Sequence, residues 1–459
     1  MSGLEQTIPD GYQQTEIGLI PDAWELLSFG ELVKYIKGYP FKSSEYTDSG
    51  IRVVRVSDTS YSSIKNENPI FVSQKSECKY KKWALKKGDL IFTTVGSKPP
   101  MYDSLVGKAI LVEDKHEGFL LNQNAVLIKP QFEAENVSNL LLNHFRTERY
   151  IDHIEKIYRG NANQASITLD GLFEFKIPLP KDPKEQTAIA NALSDVDALL
   201  CELEKLIAKK QAIKTATMQQ LLMGKTRLPQ FATYADGDKQ GQVKGTKPSE
   251  LGEIPEDWEV KTLASMLNAT PSYGINAAAV PLNGNLPVYI RITDISEDGY
   301  FKPSKRVGVN SPLSDLYKLQ SGDLVLARTG ASVGKSYLYR ESDGELVFAG
   351  FLIRVSPNEK KLISAYLSHY LKTDKYWAWV TVNSMRSGQP GINGNEFGSL
   401  PLPVPSTEEQ TAIATILFDM DEEIQALKQR LSKTSQIKQG MMQELLTGKT
   451  RLPFEKTEG

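Results

Sequence analysis

The chain has 459 residues, 40% hydrophobic and 24% charged, with a net charge of −2; this allows about three domains of ordinary size and argues mildly against a strong nonspecific nucleic-acid binder. Two cysteines (Cys78, Cys201) and four scattered histidines supply neither a disulfide framework nor a CxxC metal motif. No apolar run approaches a membrane span and the N-terminus lacks a basic-then-apolar leader, so a cytoplasmic protein without a membrane partner is expected.

Taken in chain order, the first recurring signal is Ile20-Pro21-Asp22-Ala23-Trp24. Val54-Arg55-Val56-Ser57-Asp58 then reads as a short strand. Lys75, Lys79, Lys81, Lys82, Lys86 and Lys87 crowd one stretch, interleaved with Tyr80 and Trp83. Lys87-Gly88-Asp89-Leu90-Ile91-Phe92 predicts a turn into a buried strand. Lys98-Pro99-Pro100-Met101-Tyr102 falls short of an amino-methyltransferase motif, and no glycine-rich S-adenosylmethionine loop precedes it. Arg159 stands before Gly160-Asn161-Ala162-Asn163-Gln164. Arg, Asn and Gln pair bidentately with purine edges, yet a Gly/Asn-rich turn explains the composition equally well.

Residues 182–227 predict one long helix. Asp182 suits the cap, Pro183 the first turn and Glu185 a capping box. Ile189, Leu193, Val196, Leu200, Leu203 and Leu206/Ile207 step four and three residues apart, an a/d heptad seam that ends at Gly224. At about 1.5 Å per residue the helix spans roughly 60 Å. Residues 228–249 are polar and contain glycine, and read as a linker.

The chain then repeats itself. Ile254-Pro255-Glu256-Asp257-Trp258 answers the first signal, Ile290-Arg291-Ile292-Thr293-Asp294 the second, and Ser321-Gly322-Asp323-Leu324 the glycine turn. Gly330-Ala331-Ser332-Val333-Gly334-Lys335-Ser336 is one residue short of a phosphate-binding loop and reads as a turn with Arg328 and Lys335 exposed. Arg386 precedes Ser387-Gly388-Gln389-Pro390-Gly391-Ile392-Asn393 at the place matching Arg159–Gln164. Residues 406–453 repeat the helix, with Ile413, Leu417, Met420, Ile424, Leu427 and Leu431 on its seam. Glu185-Gln186-Thr187-Ala188-Ile189-Ala190 recurs at Glu409, and Gly224-Lys225-Thr226-Arg227-Leu228-Pro229 at Gly448, both 224 residues on. Between these anchors the two halves differ freely, as two domains of one fold reading two different things would. No nuclease, metalloprotease or nucleophile–base constellation rises above chance, so no catalytic residue is expected in this chain.

Together these motifs resemble the specificity (S) subunits of type I restriction–modification systems. The resemblance rests on the Ile-Pro-x-x-Trp segments, the Gly-Asp-Leu turns, the Glu-Gln-x-x-Ile helix starts and the Leu-Leu-x-Gly-Lys-x-Arg-Leu helix ends, and it covers essentially the whole chain. It implies an α+β architecture: two similar α/β target recognition domains separated by two long helices packed as an antiparallel intramolecular coiled coil, with pseudo-two-fold symmetry. The expected domains are residues 1–181 and 250–405 for recognition, 182–227 and 406–453 for the helices, 228–249 for the linker and 454–459 for a tail.

The resemblance implies that each recognition domain reads half of an asymmetric bipartite site on double-stranded DNA and that the helices fix the spacer. It also implies docking of two modification subunits, which hold S-adenosylmethionine, and of a motor-nuclease restriction subunit. The chain itself would hold no cofactor and no metal. DNA-contact candidates are Arg55, Lys79, Lys81, Lys82, Arg159, Asn161, Asn163, Gln164, Arg291, Arg328, Lys335, Arg386, Gln389 and Asn393. Helix-packing and docking candidates are Ile189, Leu193, Val196, Leu200, Leu203, Ile413, Leu417, Met420, Ile424 and Leu427. The competing readings are a self-contained methyltransferase or nuclease, a scaffold joining two ligand-binding domains, and a specificity subunit serving a methyltransferase without restriction.

Overall fold

The computed structural model describes residues 8–61, 63–131, 136–161, 164–385 and 389–453. They form two compact units: residues 1–204 with 429–459, and residues 205–428. The boundary therefore cuts both long helices, Pro183–Leu222 and Thr407–Leu445. Each unit holds one mixed domain, the first half of one long helix and the second half of the other.

The helix starts follow from capping. Asp182 accepts the Lys184 backbone N–H at 2.9 Å, and Ser406 accepts that of Glu409 at 3.3 Å. The stops follow from glycine: Gly224 and Gly448 have φ of +65° and +71°. The Lys225 N–H donates back to the Gln220 carbonyl at 2.9 Å, the six-to-one bond of a Schellman turn. A Cβ on Gly224 would overlap the Pro255 ring, and one on Gly448 the Pro21 ring. Glycine is thus required twice over, by its left-handed backbone and by the proline of the Ile-Pro segment packed on it.

In the first unit, Leu90–Thr93 and Ala125–Pro130 pair antiparallel in a four-stranded sheet flanked by Ala109–Leu111 and Val33–Lys37. A second sheet sets Ile51–Val54 antiparallel to Ile70–Val72 and parallel to Leu120–Leu121. Trp24–Ser28 pairs with Lys176–Pro180, which leads straight into the long helix. The second unit repeats this plan, with Leu324–Ala327 and Leu352–Val355 central to one sheet and Val288–Ile290 parallel to Leu346–Phe348 in the other. Glu259–Thr262 pairs with Pro401–Val404 at the foot of the second helix.

The helix ends belong to the domain cores. Ile189, Leu193, Met442, Leu445 and Leu446 join Trp24, Phe92 and Tyr150 in one apolar cluster. Ile413, Leu417, Met218, Leu221 and Leu222 join Trp258, Leu326 and Tyr366 in the other. Each buried leucine contributes roughly 2 kcal/mol, so the domains grip their helices firmly at the ends. Along the middle, Leu203, Ile207 and Ile424 are buried; Val196, Leu200, Met420 and Leu427 are half-buried. Leu206 is exposed, so Ile207 carries that seam position. Within each unit the helix halves run antiparallel. Asp197 meets Lys438 in one, and Lys214 meets Asp421 and Lys210 meets Glu423 in the other.

Two local expectations change. The strands end at Val54 and Ile290, and Val56–Asp58 and Ile292–Asp294 are 3-10 turns. Asp58 and Asp294 drive this by accepting the backbone N–H three residues back, at 2.9 Å each. Segment 228–249 also carries structure, a helical turn at Pro229–Ala232 and the strand Thr246–Ser249. The expected tail lies outside the described residues.

Candidate nucleic-acid interface

Buried charge organises each unit before any surface does. Glu185 and Glu409 are 1% and 2% exposed. Glu409 accepts the Trp258 indole N–H at 3.1 Å and two Arg227 donors at 2.7 Å. Glu185 accepts the Trp24 indole N–H at 3.2 Å and the Arg451 guanidinium, one arm at 2.6 Å. The Ile-Pro-x-x-Trp segment, one helix start and the other helix's end thus meet at a single carboxylate in each unit. Gln186 and Gln410, one residue on, donate to the carbonyls of Pro180 and Pro405 at 2.7 and 3.0 Å and seat the helix on the strand before it.

Arg55 and Arg291 stay about one-third exposed, each held by a buried aspartate. Each guanidinium donates to the aspartate three residues on, at 2.8 Å, and those hydrogen bonds hold it charged more firmly than usual. Lys335 pairs with Glu297 at 2.5 Å and is 19% exposed, so it is not the open cation its turn suggested. Asn393 caps a short helix, accepting the Glu396 N–H at 2.9 Å. Asn163 and Arg386, and the side chain of Asn161, lie outside the described residues.

The remaining candidates fall on two surfaces. Lys79, Lys81 and Lys82 ride on the turns Glu77–Trp83, which Tyr80 and Trp83 anchor among Tyr39 and Phe41. Lys79 is committed to Glu45 at 3.0 Å, and the Tyr80 hydroxyl, with these neighbours, pushes that carboxyl down to about 2. Lys81 and Lys82 are exposed, with no carboxylate paired to either among the described residues.

The second surface is a loop frame present in both units. In the first, the Thr94 N–H donates to Asn124 and its carbonyl accepts from Ile167, while Val95–Gly96 pairs with Ala165–Ser166. In the second, the Arg328 N–H donates to Phe351 and its carbonyl accepts from Ile392, while Thr329 pairs with Gly391. Gln164 and Gln389 occupy the same position of this frame. The rest differs: Thr94 and Asn124 in one unit stand where Arg328 and Phe351 stand in the other. Arg328 lies 4.8 Å over the Tyr273 ring, and Phe351 is 61% exposed beside it. Arg159 and Gln164 are exposed on the hairpin of the first frame.

The family model for the type I restriction modification DNA specificity domain matches residues 21–215 and 255–436. The chain belongs to this family. It is a type I specificity subunit with two recognition domains, one in each unit. The chain is 27% identical over 457 residues to the putative MjaX specificity subunit of Methanocaldococcus jannaschii, covering 96% of this chain and 97% of the relative. It is 26% identical to the MjaVIII specificity subunit of the same organism, covering 94% of each. The EcoBI specificity subunit of Escherichia coli is 24% identical over 86% of this chain and 78% of its own length. The fold of this chain is that of the S subunit from M. genitalium, with a TM-score of 0.57 at 16% identity over 99% of both chains.

Several residues of this specificity subunit had no sequence signal strong enough to single them out. Tyr273 and Phe351 join Arg328 only through the fold. Arg52 is 6% exposed, donates to Asn66 at 2.5 Å and has no carboxylate partner among the described residues. The corresponding position in the second domain, likewise two residues before the end of its strand, is Val288. Lys108 is buried as a strut, donating to the Thr59 carbonyl at 2.8 Å, and burial pushes it down to about 8. Among the described residues no cluster of side chains could hold a metal ion, and no helix is long and apolar enough to cross a membrane.

Proposed function

We propose that this specificity subunit reads an asymmetric, interrupted site on double-stranded DNA, one half with each recognition domain. The observation that carries this is the loop frame: one backbone arrangement, built twice, presents Thr94 and Asn124 in one domain and Arg328 and Phe351 in the other. An alike scaffold with unlike side chains, Asn124 and Phe351 exposed and Thr94 and Arg328 half-buried, suits two different half-sites. Arg328, Gln164 and Gln389 have the donors and acceptors that read base edges, and Lys81, Lys82 and Arg159 suit phosphates. The long helices set the number of unread base pairs and dock two modification subunits, which hold S-adenosylmethionine and methylate adenine. A motor-nuclease subunit joins for restriction. The chain supplies recognition and the partners supply the chemistry.

The test is long-read sequencing sensitive to adenine methylation, on DNA from cells expressing this chain with the modification subunit of its system. One interrupted asymmetric motif, absent without this chain, is the expected result. A stable complex of the two proteins that methylates nothing, or methylates an uninterrupted site, would overturn the reading.

A further inference from the structure

Between its firmly held helix ends, each recognition domain stands off from the helices across a cavity. In the second unit it measures about 310 Å3 and is bounded by Lys214, Tyr300, Lys372 and Asp421. In the first it measures about 670 Å3 and is bounded by Tyr61, Arg146 and Gln439. Gln439 lies one residue past Lys438, as Thr215, on the wall of the other cavity, follows Lys214. An ionic chain crosses the first gap, and the second gap sets out charges of the same signs at the matching places. In the first unit Lys438 donates to Asp197 at 2.5 Å, and Arg146 of the recognition domain approaches the same carboxylate at 4.0 Å. In the second, Lys214 donates to Asp421 at 2.5 Å, and Lys372 of the recognition domain lines the same cavity as that pair.

The agreement extends to the neighbours. Asp197 and Asp421, and Lys214 and Lys438, lie 224 residues apart, the offset of the helix repeat. Arg146 and Lys372 each sit just before the threonine that caps the next helix, Thr147 and Thr373. Each cation lies 5.9 Å over a tyrosine ring of the same loop, Tyr61 in one domain and Tyr300 in the other. These are poorly hydrated positions: Lys438 is 10% exposed, and burial pushes Lys372 down to about 8. A charge shared by three elements across a gap restrains their angle where packing does not, because the gap's walls have no atoms in contact to do so.

We propose that Asp197 and Asp421 are positioning residues: each joins a helix lysine to a recognition-domain cation, Arg146 or Lys372, and so fixes the angle of its domain on the helix pair. Resting on the reading above, this angle sets the register between the half-sites.

The native cysteines test it directly. Cys78, in the first recognition domain, and Cys201, on the first long helix, are both exposed. Spin labels on this pair in the full chain read the domain-to-helix distance by pulsed electron resonance. Wild type is expected to give one narrow distribution. R146M and D197N should at least double its width, whereas R146K, which keeps the charge, should stay near wild type. D197N is isosteric and decides the matter alone should R146M fail to fold by circular dichroism. Unchanged widths in folded R146M and D197N would overturn the proposal.

In the methylation assay, R146M with K372M should keep both half-site sequences and admit spacers one base pair longer or shorter. A spacer as strict as that of wild type would remove the role in register. Broadened distances together with no interrupted motif from the wild-type protein would retain the positioning role and overturn the DNA reading instead.

Discussion

Removing the Glu409 carboxylate would leave the Trp258 indole N–H with no partner and Arg227 with only Asp257, at 2.8 Å. Breaking a buried pair from one side costs about 3 kcal/mol, so E409A should lower the stability of the second unit by about that amount in urea denaturation. E409Q keeps an acceptor for Trp258 and should cost less than half as much. An E409A protein as stable as wild type would show that the apolar cluster around Trp258 alone holds the helix start. The buried histidines give a second signature. Burial, with nearby cations, pushes His144 and His369 down to about 3. Unfolded imidazoles take up protons near pH 6.5. Between these values the unfolded chain binds more protons, so stability is full above pH 6.5 and falls as pH drops, by up to about 1.4 kcal/mol per unit for each histidine. The urea midpoint should fall from pH 7 to pH 5, and H144L with H369L should flatten that fall. An equally steep loss in the double variant would assign it to carboxylates.

At the scale of elements, the two long helices were legible because period and punctuation agree. A 4-3 seam, a capping aspartate or serine and a glycine at each end leave little freedom. The domains were legible only in outline. Arg55 and Arg291 follow β-branched runs, yet the aspartate three residues on bends each into a 3-10 turn, and nothing in a period-two pattern reports that competition. Arg328 could be singled out, but its neighbours Tyr273 and Phe351 are 55 residues before and 23 residues after it and meet it only through the sheet. Trp24, Glu185 and Arg451, which clamp one helix start to the other helix's end, were visible only as three separate motifs. That they share one site is a property of antiparallel helices. This makes the helices testable as a ruler. Deleting seven residues from one helix alone mismatches the clamps and should abolish methylation. Deleting one heptad from both shortens each helix by about 10 Å, the rise of about three base pairs, and should shorten the spacer by about three. An unchanged spacer in a folded, methylating double deletion would end the ruler role.

At the scale of the whole molecule, a net charge of −2 has to be reconciled with a DNA partner. Many of the cations are already committed: Lys79 to Glu45, Lys335 to Glu297, Lys428 to Asp298 and Arg227 to Glu409. Lys81, Lys82 and Arg159 stand exposed without such a partner among the described residues. Each neutralised phosphate contributes about 0.9 to the slope of log affinity against log salt. The isolated chain should therefore bind DNA weakly, with a shallow slope, and K81A with K82A should reduce that slope by about two while weakening all sequences alike. The proposed modification subunits should steepen the slope when bound, by adding phosphate contacts that this chain lacks. Fluorescence titrations of one duplex between about 50 and 200 mM salt would decide it. If the isolated chain already shows the slope of the complex, the phosphate grip lies in the recognition domains themselves, and their cations must be released from their carboxylates when DNA arrives.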